Sequence, residues 1–314
     1  MSELSSGSKM HPLTLFALTF VVASIGFVLV GPLIGVFLSI PFIEGNFVEQ
    51  LQAMLLDPVG HPEFKVPLFI IQGSATFFGL GLLPAVFWFS IEKKGISSWF
   101  AGKKNYGILF LVVAAMTIAF MVTNSVFIQW NATIHFPDFM KGFELWAREF
   151  EDKNEALTKY LTQFSSTGEF ILAFVVIAIL PAFAEELVFR GMLQTQLARA
   201  TKNHHVAIWA TAMLFSAFHF QFFGFVPRML LGAMFGYLYF WSGNLFIVMF
   251  AHFVNNGFSV LMLYLNQKRM VEIDMESTEA APWQAVVIFT LIGGTLLFYF
   301  KKFYDKRKEQ VDGE

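Results

Sequence analysis

The feature that most constrains this chain is a succession of long apolar runs, which leaves too little polar surface for a water-soluble fold. Hydrophobic residues make up 56% of the 314 positions and charged residues only 14%. An ordinary soluble domain carries about 25% charged residues. Much of the surface must therefore face lipid, which excludes both a disordered soluble chain and a soluble α/β enzyme.

Eight of these runs approach the roughly 20 apolar residues that a helix needs to cross a bilayer. Helices satisfy their own backbone hydrogen bonds in lipid. The sequence therefore predicts an all-α, polytopic membrane helix bundle of about eight transmembrane helices, forming one membrane domain over 1–314 with a polar cytoplasmic tail at 304–314. The Gly31-Pro32 pair predicts a bend in the first span. The predicted spans are 12–42, 66–91, 105–130, 170–189, 205–220, 227–241, 244–265 and 282–300.

The long loop at 131–168 has a pattern of its own. Aromatic and aliphatic residues recur there at roughly helical spacing among Glu, Lys and Arg. Such a pattern predicts an amphipathic helix that lies on the membrane surface or caps the bundle. Packing is the preferred interpretation, and substrate gating is the alternative.

Orientation follows from the distribution of Lys and Arg, which concentrate on the cytoplasmic side. The predicted outer loops hold fewer basic residues over longer stretches: Lys65, Lys141, Arg148, Lys153, Lys159, Arg228, Lys268 and Arg269. The predicted inner segments hold Lys9, Lys93, Lys94, Lys103, Lys104, Arg199, Lys202, Lys301, Lys302, Lys306, Arg307 and Lys308. This predicts a multi-pass protein of the cell membrane with both termini in the cytoplasm.

Two whole-chain properties narrow the chemistry. The net charge of −2 argues against nucleic acid as a partner, because nucleic-acid binding requires a basic surface. Cysteine is absent, which removes disulfides, thiolate–zinc sites and a cysteine nucleophile together. The His-Glu-x-x-His and Gly-x-Ser-x-Gly patterns of other hydrolases are also absent from the sequence.

The informative residues are the polar ones inside apolar runs, since an ionised group at mid-bilayer costs about 2.5–3.5 kcal/mol and normally has a partner. Glu185, Glu186 and Arg190 form the first such group. Glu186 and Arg190 are four residues apart in the favourable order for a helical ion pair. Glu185 points about 100° away from Glu186. One acid can thus be neutralised while the other faces a cavity; the alternative is an ion pair that only fixes helix packing.

Two further groups lie in later runs. His219 ends one run, and His252 and Asn256 share one helix face in another, where two N–H donors can stabilise an oxyanion. Hydrogen bonding between helices is the alternative role for each, and Asn255 can serve it as well. Together the groups supply a carboxylate, an imidazole, oxyanion donors and a cation, as amide hydrolysis requires.

In order, the sequence contains Glu-Glu-x-x-x-Arg at 185–190, Phe-x-x-x-His at 215–219 and His-x-x-x-Asn at 252–256. These motifs resemble those of the CAAX protease and bacteriocin-processing family (CPBP, Abi-type) of intramembrane endopeptidases, which includes the type II CAAX prenyl endopeptidases. The resemblance covers about 170–258, which it marks as the catalytic core. It implies that Glu185 and His219 activate the water and that His252 and Asn256 stabilise the oxyanion. To Glu186 and Arg190 we assign orientation and charge balance.

The cofactor is either none or zinc. Glu185, His219 and His252 can bind zinc as a set of two histidines and one carboxylate. The metal-free version is preferred, because His252 is then used with Asn256 as a donor pair. The expected partners are membrane lipid and a membrane-associated peptide or protein substrate. Peptide maturation, bacteriocin self-immunity and membrane-protein cleavage all stay open.

Two other classes of function are weighed against the peptidase. One is a non-enzymatic bacteriocin-immunity or scaffold protein, and the other is a proton-coupled transporter. The polar groups cluster at one site instead of forming a chain across the bilayer, which disfavours transport. A rise of 1.5 Å per residue puts Glu185 in the inner half of the bilayer and His219 nearer the outer half. The two therefore meet only if the fifth predicted span tilts steeply or starts below the surface.

Overall fold

The computed structural model describes residues 10–92, 99–100, 107–272 and 277–312, the last six of these by backbone only. Several residues that support the predicted orientation lie outside the described part of the chain: Lys9, Lys93, Lys94, Lys103 and Lys104. The same holds for the side chains of Arg307 and Lys308 and for residues 313–314 of the predicted tail.

The described residues form ten main helices and contain no strand. The helices are α1 (Pro12–Phe42), α2 (Phe47–Leu56), α3 (Pro62–Glu92), α4 (Gly107–Ala132), α5 (Lys141–Thr162), α6 (Thr167–Thr201), α7 (His204–Ala217), α8 (Phe225–Ser242), α9 (Leu245–Gln267) and α10 (Trp283–Asp312). The all-α prediction is confirmed.

Six helices within the described ranges are long and apolar enough to cross a membrane: α1, α3, α4, α6, α9 and α10. The protein is thus a multi-pass membrane protein. The fifth and sixth predicted spans are also helices, but α7 and α8 have only 14 and 18 residues. They rise about 21 and 27 Å, against about 30 Å of hydrocarbon. Of the about eight predicted transmembrane helices, six are therefore long and apolar enough to cross a membrane within the described ranges, and α7 and α8 form a shorter helical pair.

Glycine allows α1 and α3 to approach closely. Each helix contains a π-helical segment, Gly26–Val30 in α1 and Ala75–Leu82 in α3, and the two segments are in contact. A Cβ atom at Gly26 would lie only 2.1 Å from the carbonyl oxygen of Gly79. The π-helical segment of α1 directly precedes Gly31-Pro32, where the sequence predicts a bend. The hydrogen-bond pattern changes there because Pro32 donates no N–H.

Helix α6 lies between two hydrophobic clusters. One joins α6 to α1, α3, α7 and the start of α9 and includes Phe189 and Phe215. The other joins α4, α8, α9 and α10 and includes Phe235. The polar residues singled out by the sequence lie where these two clusters meet.

The amphipathic helix predicted in the 131–168 loop is confirmed as α5. Its first half packs on the turn that connects α7 to α8. Phe143 contacts Phe222 edge to face at 5.0 Å, Arg148 lies 3.8 Å above the Phe223 ring, and Glu151 accepts a hydrogen bond from the Phe223 N–H at 2.9 Å. Helix α5 therefore holds the segment that carries His219.

Candidate active site

A change of helix type in α6 sets the positions of its charged residues. Leu180–Glu186 is α-helical, and Leu187–Gln194, which carries Arg190, is π-helical. Single π-helical turns are frequent at functional sites. The predicted ion pair is present, with Arg190 Nη1 2.7 Å from Glu186 Oε1.

Glu186, Arg190 and His252 form a buried triad. Glu186 Oε1 accepts hydrogen bonds from Arg190 Nη1 and from His252 Nδ1, both at 2.7 Å. None of the three residues is more than 3% exposed. Buried charges are tolerated when they are paired and hydrogen-bonded. Glu186 therefore balances the charge of Arg190 and fixes the ring of His252.

Aromatic rings complete the surroundings of Arg190. Its Cζ atom lies 4.6 Å from the Phe215 ring centroid and 5.5 Å from that of Phe235, and Nη2 donates to the Gly232 carbonyl at 2.9 Å. The imidazole of His252 stacks on the same Phe235 ring at 5.3 Å. The sequence motifs include Phe215, but nothing in the sequence marked Phe235 as part of the site.

The opposite ring nitrogen of His252 faces the cavity residues. The Nδ1–H group donates to Glu186. On the other side of the ring, Nε2 lies 3.9 Å from Glu185 Oε2 and 3.2 Å from Asn256 Nδ2. Asn256 Nδ2 also donates to the Ile177 carbonyl at 3.1 Å. The predicted pairing of His252 and Asn256 on one helix face is therefore present.

Glu185 lies between the two imidazoles. Its Oε2 atom is 4.0 Å from His219 Nε2, and His219 is oriented by a hydrogen bond from Nδ1 to the Phe215 carbonyl at 2.8 Å. Separations of 3.9–4.0 Å are too long for a direct hydrogen bond and suit a bridging water molecule. Glu185 and His219 meet because α6 continues to Thr201, beyond the predicted end of its span at 189. The two residues are therefore similarly far from the turn between α6 and α7, although the predicted spans placed them apart.

A cavity of about 950 Å³ opens at these groups. Glu185, His219, His252 and Asn256 line the cavity, whereas Glu186 and Arg190 do not. The two adjacent acids therefore occupy different environments, as helix geometry predicts. All six candidate residues lie in one region, four at the cavity wall and two behind it.

Arg228 is a charged cavity residue that the sequence did not mark as part of the site. Arg228, which the sequence places in an outer loop, lies in the first turns of α8 and lines the same cavity. The one signal in the sequence for a buried position was that Arg228 lies next to Pro227, where a predicted span begins. Asn255 also lines the cavity and donates to Asn256 Oδ1 at 3.0 Å.

The three proposed zinc ligands do not fit the metal as they are placed. Zinc at 2.0–2.1 Å from its ligands requires ligand atoms about 3.3 Å apart in a tetrahedral site. The distances from Glu185 Oε2 to the two imidazoles are 3.9 and 4.0 Å, and His252 Nε2 already faces the Asn256 amide. Within the described residues, no group of three His, Asp or Glu residues is arranged to hold a metal ion. The preference for a metal-free reaction over a zinc-dependent one stays a prediction.

The central part of the chain is similar to a known protein family. Residues 167–258 match the family model described as "Type II CAAX prenyl endopeptidase Rce1-like", which confirms the resemblance carried by the three motifs. An 84-residue segment is 36% identical to the "Uncharacterized protein YpbD" of Bacillus subtilis (strain 168). That segment covers 26% of this chain and 40% of the relative. No solved structure matches the chain.

Proposed function

Because residues 167–258 carry the core of the Rce1-like family, we propose that this protein is an intramembrane endopeptidase. It hydrolyses peptide bonds of a membrane-associated peptide or protein. One observation carries the proposal: the Glu185 carboxylate lies 3.9 and 4.0 Å from the Nε2 atoms of His252 and His219 at the wall of a cavity.

In the proposed reaction, Glu185 and His219 hold a water molecule and Glu185 removes its proton. The water oxygen forms a bond to the substrate carbonyl carbon, and the π electrons of the C=O bond move to the carbonyl oxygen, which becomes the oxyanion. The proton held by Glu185 then passes to the leaving nitrogen as the C–N bond breaks. A positioned general base of this kind contributes about 10²–10⁴-fold to the rate.

Asn256 and His252 are the proposed donors to the tetrahedral oxygen. Asn256 Nδ2 points at His252 Nε2 in the resting site and turns to the oxyanion during the reaction. His252, the other proposed donor, presents Nε2 to the cavity. Glu186 accepts the Nδ1–H and fixes the His252 ring, and Arg190 pairs with Glu186. Glu186 and Arg190 are thus positioning residues.

The test is cleavage of lipid-tethered peptides by the purified protein in liposomes. Glu185→Ala and His219→Ala should each lower turnover by at least about 10²-fold, with thermal midpoints close to that of the wild type. Glu279→Ala, which removes another acid from the cavity wall, is the matched control and should retain activity. Parallel loss of folding and activity in the first two variants would favour a packing or scaffold role. Proton flux that requires Glu185 would favour transport.

The metal prediction is tested separately. Protein that is dialysed against a strong chelator and shown by elemental analysis to be free of zinc should retain its turnover. Activity that disappears on chelation and returns with added zinc would contradict the metal-free version.

A further inference from the structure

A second cavity, of about 840 Å³, lies between the beginning of α4 and the end of α10. It is separate from the catalytic cavity, because the two share none of their described lining residues. Both helices lie outside residues 167–258, the part of the chain that matches the family model. The proposed peptidase reaction gives this second cavity no task.

One face of α10 and the start of α4 form the walls of the cavity. Tyr299, Lys302, Phe303 and Lys306 follow one another at helical spacing, so they share a face of α10, and all four are exposed. The wall contributed by α4 is apolar and includes Ile108, Leu109 and Val112. The cavity is thus an apolar groove with two lysines along one wall.

Lys302 and Lys306 have no acidic counter-charge in the described part of the chain. No acidic residue is among the described residues that line the cavity. The neighbouring Lys301 does not line the cavity and lies 3.8 Å from Asp305. Lys302 instead lies 5.9 Å above the Phe298 ring. Two like charges one helical turn apart repel each other, and an anion between them removes that repulsion.

The position of the cavity along α10 corresponds to the level of the lipid headgroups. The stretch from Trp283 to Phe300 contains no charged residue. It rises about 27 Å, close to the roughly 30 Å of hydrocarbon. Lys302 and Lys306 follow directly, on the side that the distribution of Lys and Arg predicts to be cytoplasmic. The cytoplasmic leaflet carries anionic lipids that attract such basic groups.

We infer that this cavity binds an anionic phospholipid of the surrounding membrane. The phosphate of the lipid lies between Lys302 and Lys306, and an acyl chain follows the apolar wall of α4. A lipid bound there fills the groove between α4 and α10 and joins the two helices. This inference does not depend on the proposed function.

The experiment is a titration of full-length protein in detergent, followed by native mass spectrometry. Phosphatidylglycerol and phosphatidylcholine with identical acyl chains are compared. Wild-type protein should bind phosphatidylglycerol at least about tenfold more tightly. Lys302→Gln and Lys306→Gln should each weaken its binding about fivefold, and the double variant about 30-fold, with little change for phosphatidylcholine. Lys301→Gln removes an exposed charge from the same turn of α10 and is the matched control, which should behave as wild type.

A second experiment locates the lipid in unaltered protein and so does not depend on the folding of any variant. Phosphatidylglycerol with a photoreactive diazirine in one acyl chain is added to the protein, and the cross-linked peptides are mapped after irradiation. Cross-links should concentrate at the start of α4 and the end of α10. Phosphatidylcholine with the same photoreactive chain should label lipid-facing helices without this concentration.

Three results would overturn the inference. Equal binding of the two lipids, or an effect of Lys301→Gln as large as that of Lys302→Gln, would reduce the lysines to general surface charge. Displacement of phosphatidylglycerol by an equal concentration of inorganic phosphate would make free phosphate the occupant. Cross-links spread evenly over the lipid-facing helices would leave no site between α4 and α10.

Discussion

At the scale of single residues, the adjacent acids Glu185 and Glu186 show how burial and partners divide two identical groups. Glu186 is fully buried and shares one oxygen between Arg190 and His252. Glu185 faces the cavity, and among the described residues the imidazoles that approach it lie 3.9–4.0 Å away. Glu186 is thus held within the buried triad, whereas the Glu185 carboxylate faces the cavity.

The buried triad predicts a large stability effect at Glu186. Glu186→Ala leaves the Arg190 guanidinium charged and buried without its carboxylate. Removal of one partner of a buried ion pair typically costs about 3–5 kcal/mol. We therefore expect a strongly lowered midpoint of thermal unfolding in detergent, measured by circular dichroism.

Glu185→Ala is the matched control because it removes the same side chain one residue away, and its midpoint should stay near that of the wild type. The double variant Glu186→Ala/Arg190→Met should regain stability relative to Glu186→Ala, since no unpaired charge is left. Unfolding of Glu186→Ala at the wild-type midpoint would show that the triad does not stabilise the fold.

Local spacing explains which parts of the site could be predicted from the sequence. Glu186–Arg190 and His252–Asn256 are neighbours one helical turn apart, so a sequence pattern is enough to pair them. The hydrogen bond between His252 and Glu186 joins residues 66 positions apart and depends on how α9 packs against α6. Arg228 was missed for the same reason, because its place in the cavity depends on the packing of α8.

At the scale of secondary-structure elements, the contact between α1 and α3 depends on glycine. A methyl group at Gly79 would lie 2.1 Å from the Gly26 carbonyl oxygen, so the two backbones would have to separate. Small residues at such crossings allow close helix packing in membranes. Gly79→Ala should therefore destabilise the protein by about 1–3 kcal/mol, as overpacking does in tight cores. The measurement is the thermal midpoint in a fixed detergent.

Gly294→Ala supplies the control for this change. It lies on α10, where an added Cβ meets nothing within 4 Å. Alanine favours helix over glycine by about 0.8–1.0 kcal/mol, so this variant should be as stable as the wild type or more so. Equal stability of Gly79→Ala and Gly294→Ala would show that the close approach of α1 and α3 does not matter.

The docking of α5 should depend on pH through Glu144. Its carboxylate accepts hydrogen bonds from the Phe136 N–H, His135 and Arg148, which lower the pKa of Glu144 from its ordinary value of 4.5 to about 2. The Phe136 N–H is the largest cause. Since the pKa is lowered in the folded state, this stabilisation is complete above pH 4.5 and is lost as the pH falls towards 2.

The measurement is the mobility of a spin label at Lys153→Cys, an exposed position on α5. The label should stay ordered down to about pH 4 and become mobile between pH 4 and 2. Glu144→Gln in the same labelled protein should already be mobile at neutral pH. Identical pH profiles for the two proteins would contradict a role for Glu144 in holding α5.

At the scale of the whole molecule, composition and run length predicted the membrane bundle and the helix in the 131–168 loop. They did not distinguish α7 and α8 from full membrane spans. An apolar run that packs inside a bundle has a similar composition whether or not its helix crosses the whole bilayer. The turn between these two helices contacts α5, which follows the third predicted span. The chain therefore runs along α7 towards the side of the membrane where α5 lies and returns along α8. This keeps the number of crossings even whether α7 and α8 are counted as spans or not.

An even number of crossings places both termini on one side, and the distribution of Lys and Arg predicts that this side is the cytoplasm. The chain contains no cysteine, so an introduced cysteine is a unique label. Ser8→Cys and Glu314→Cys should resist a membrane-impermeant maleimide in intact cells and react after permeabilisation, whereas Lys153→Cys should react in intact cells. Labelling of only one of the two termini in intact cells would contradict the even count, because the termini would then lie on opposite sides of the membrane. The reverse pattern would keep the count and invert the orientation, and with it the side of the membrane on which the segment carrying His219 lies.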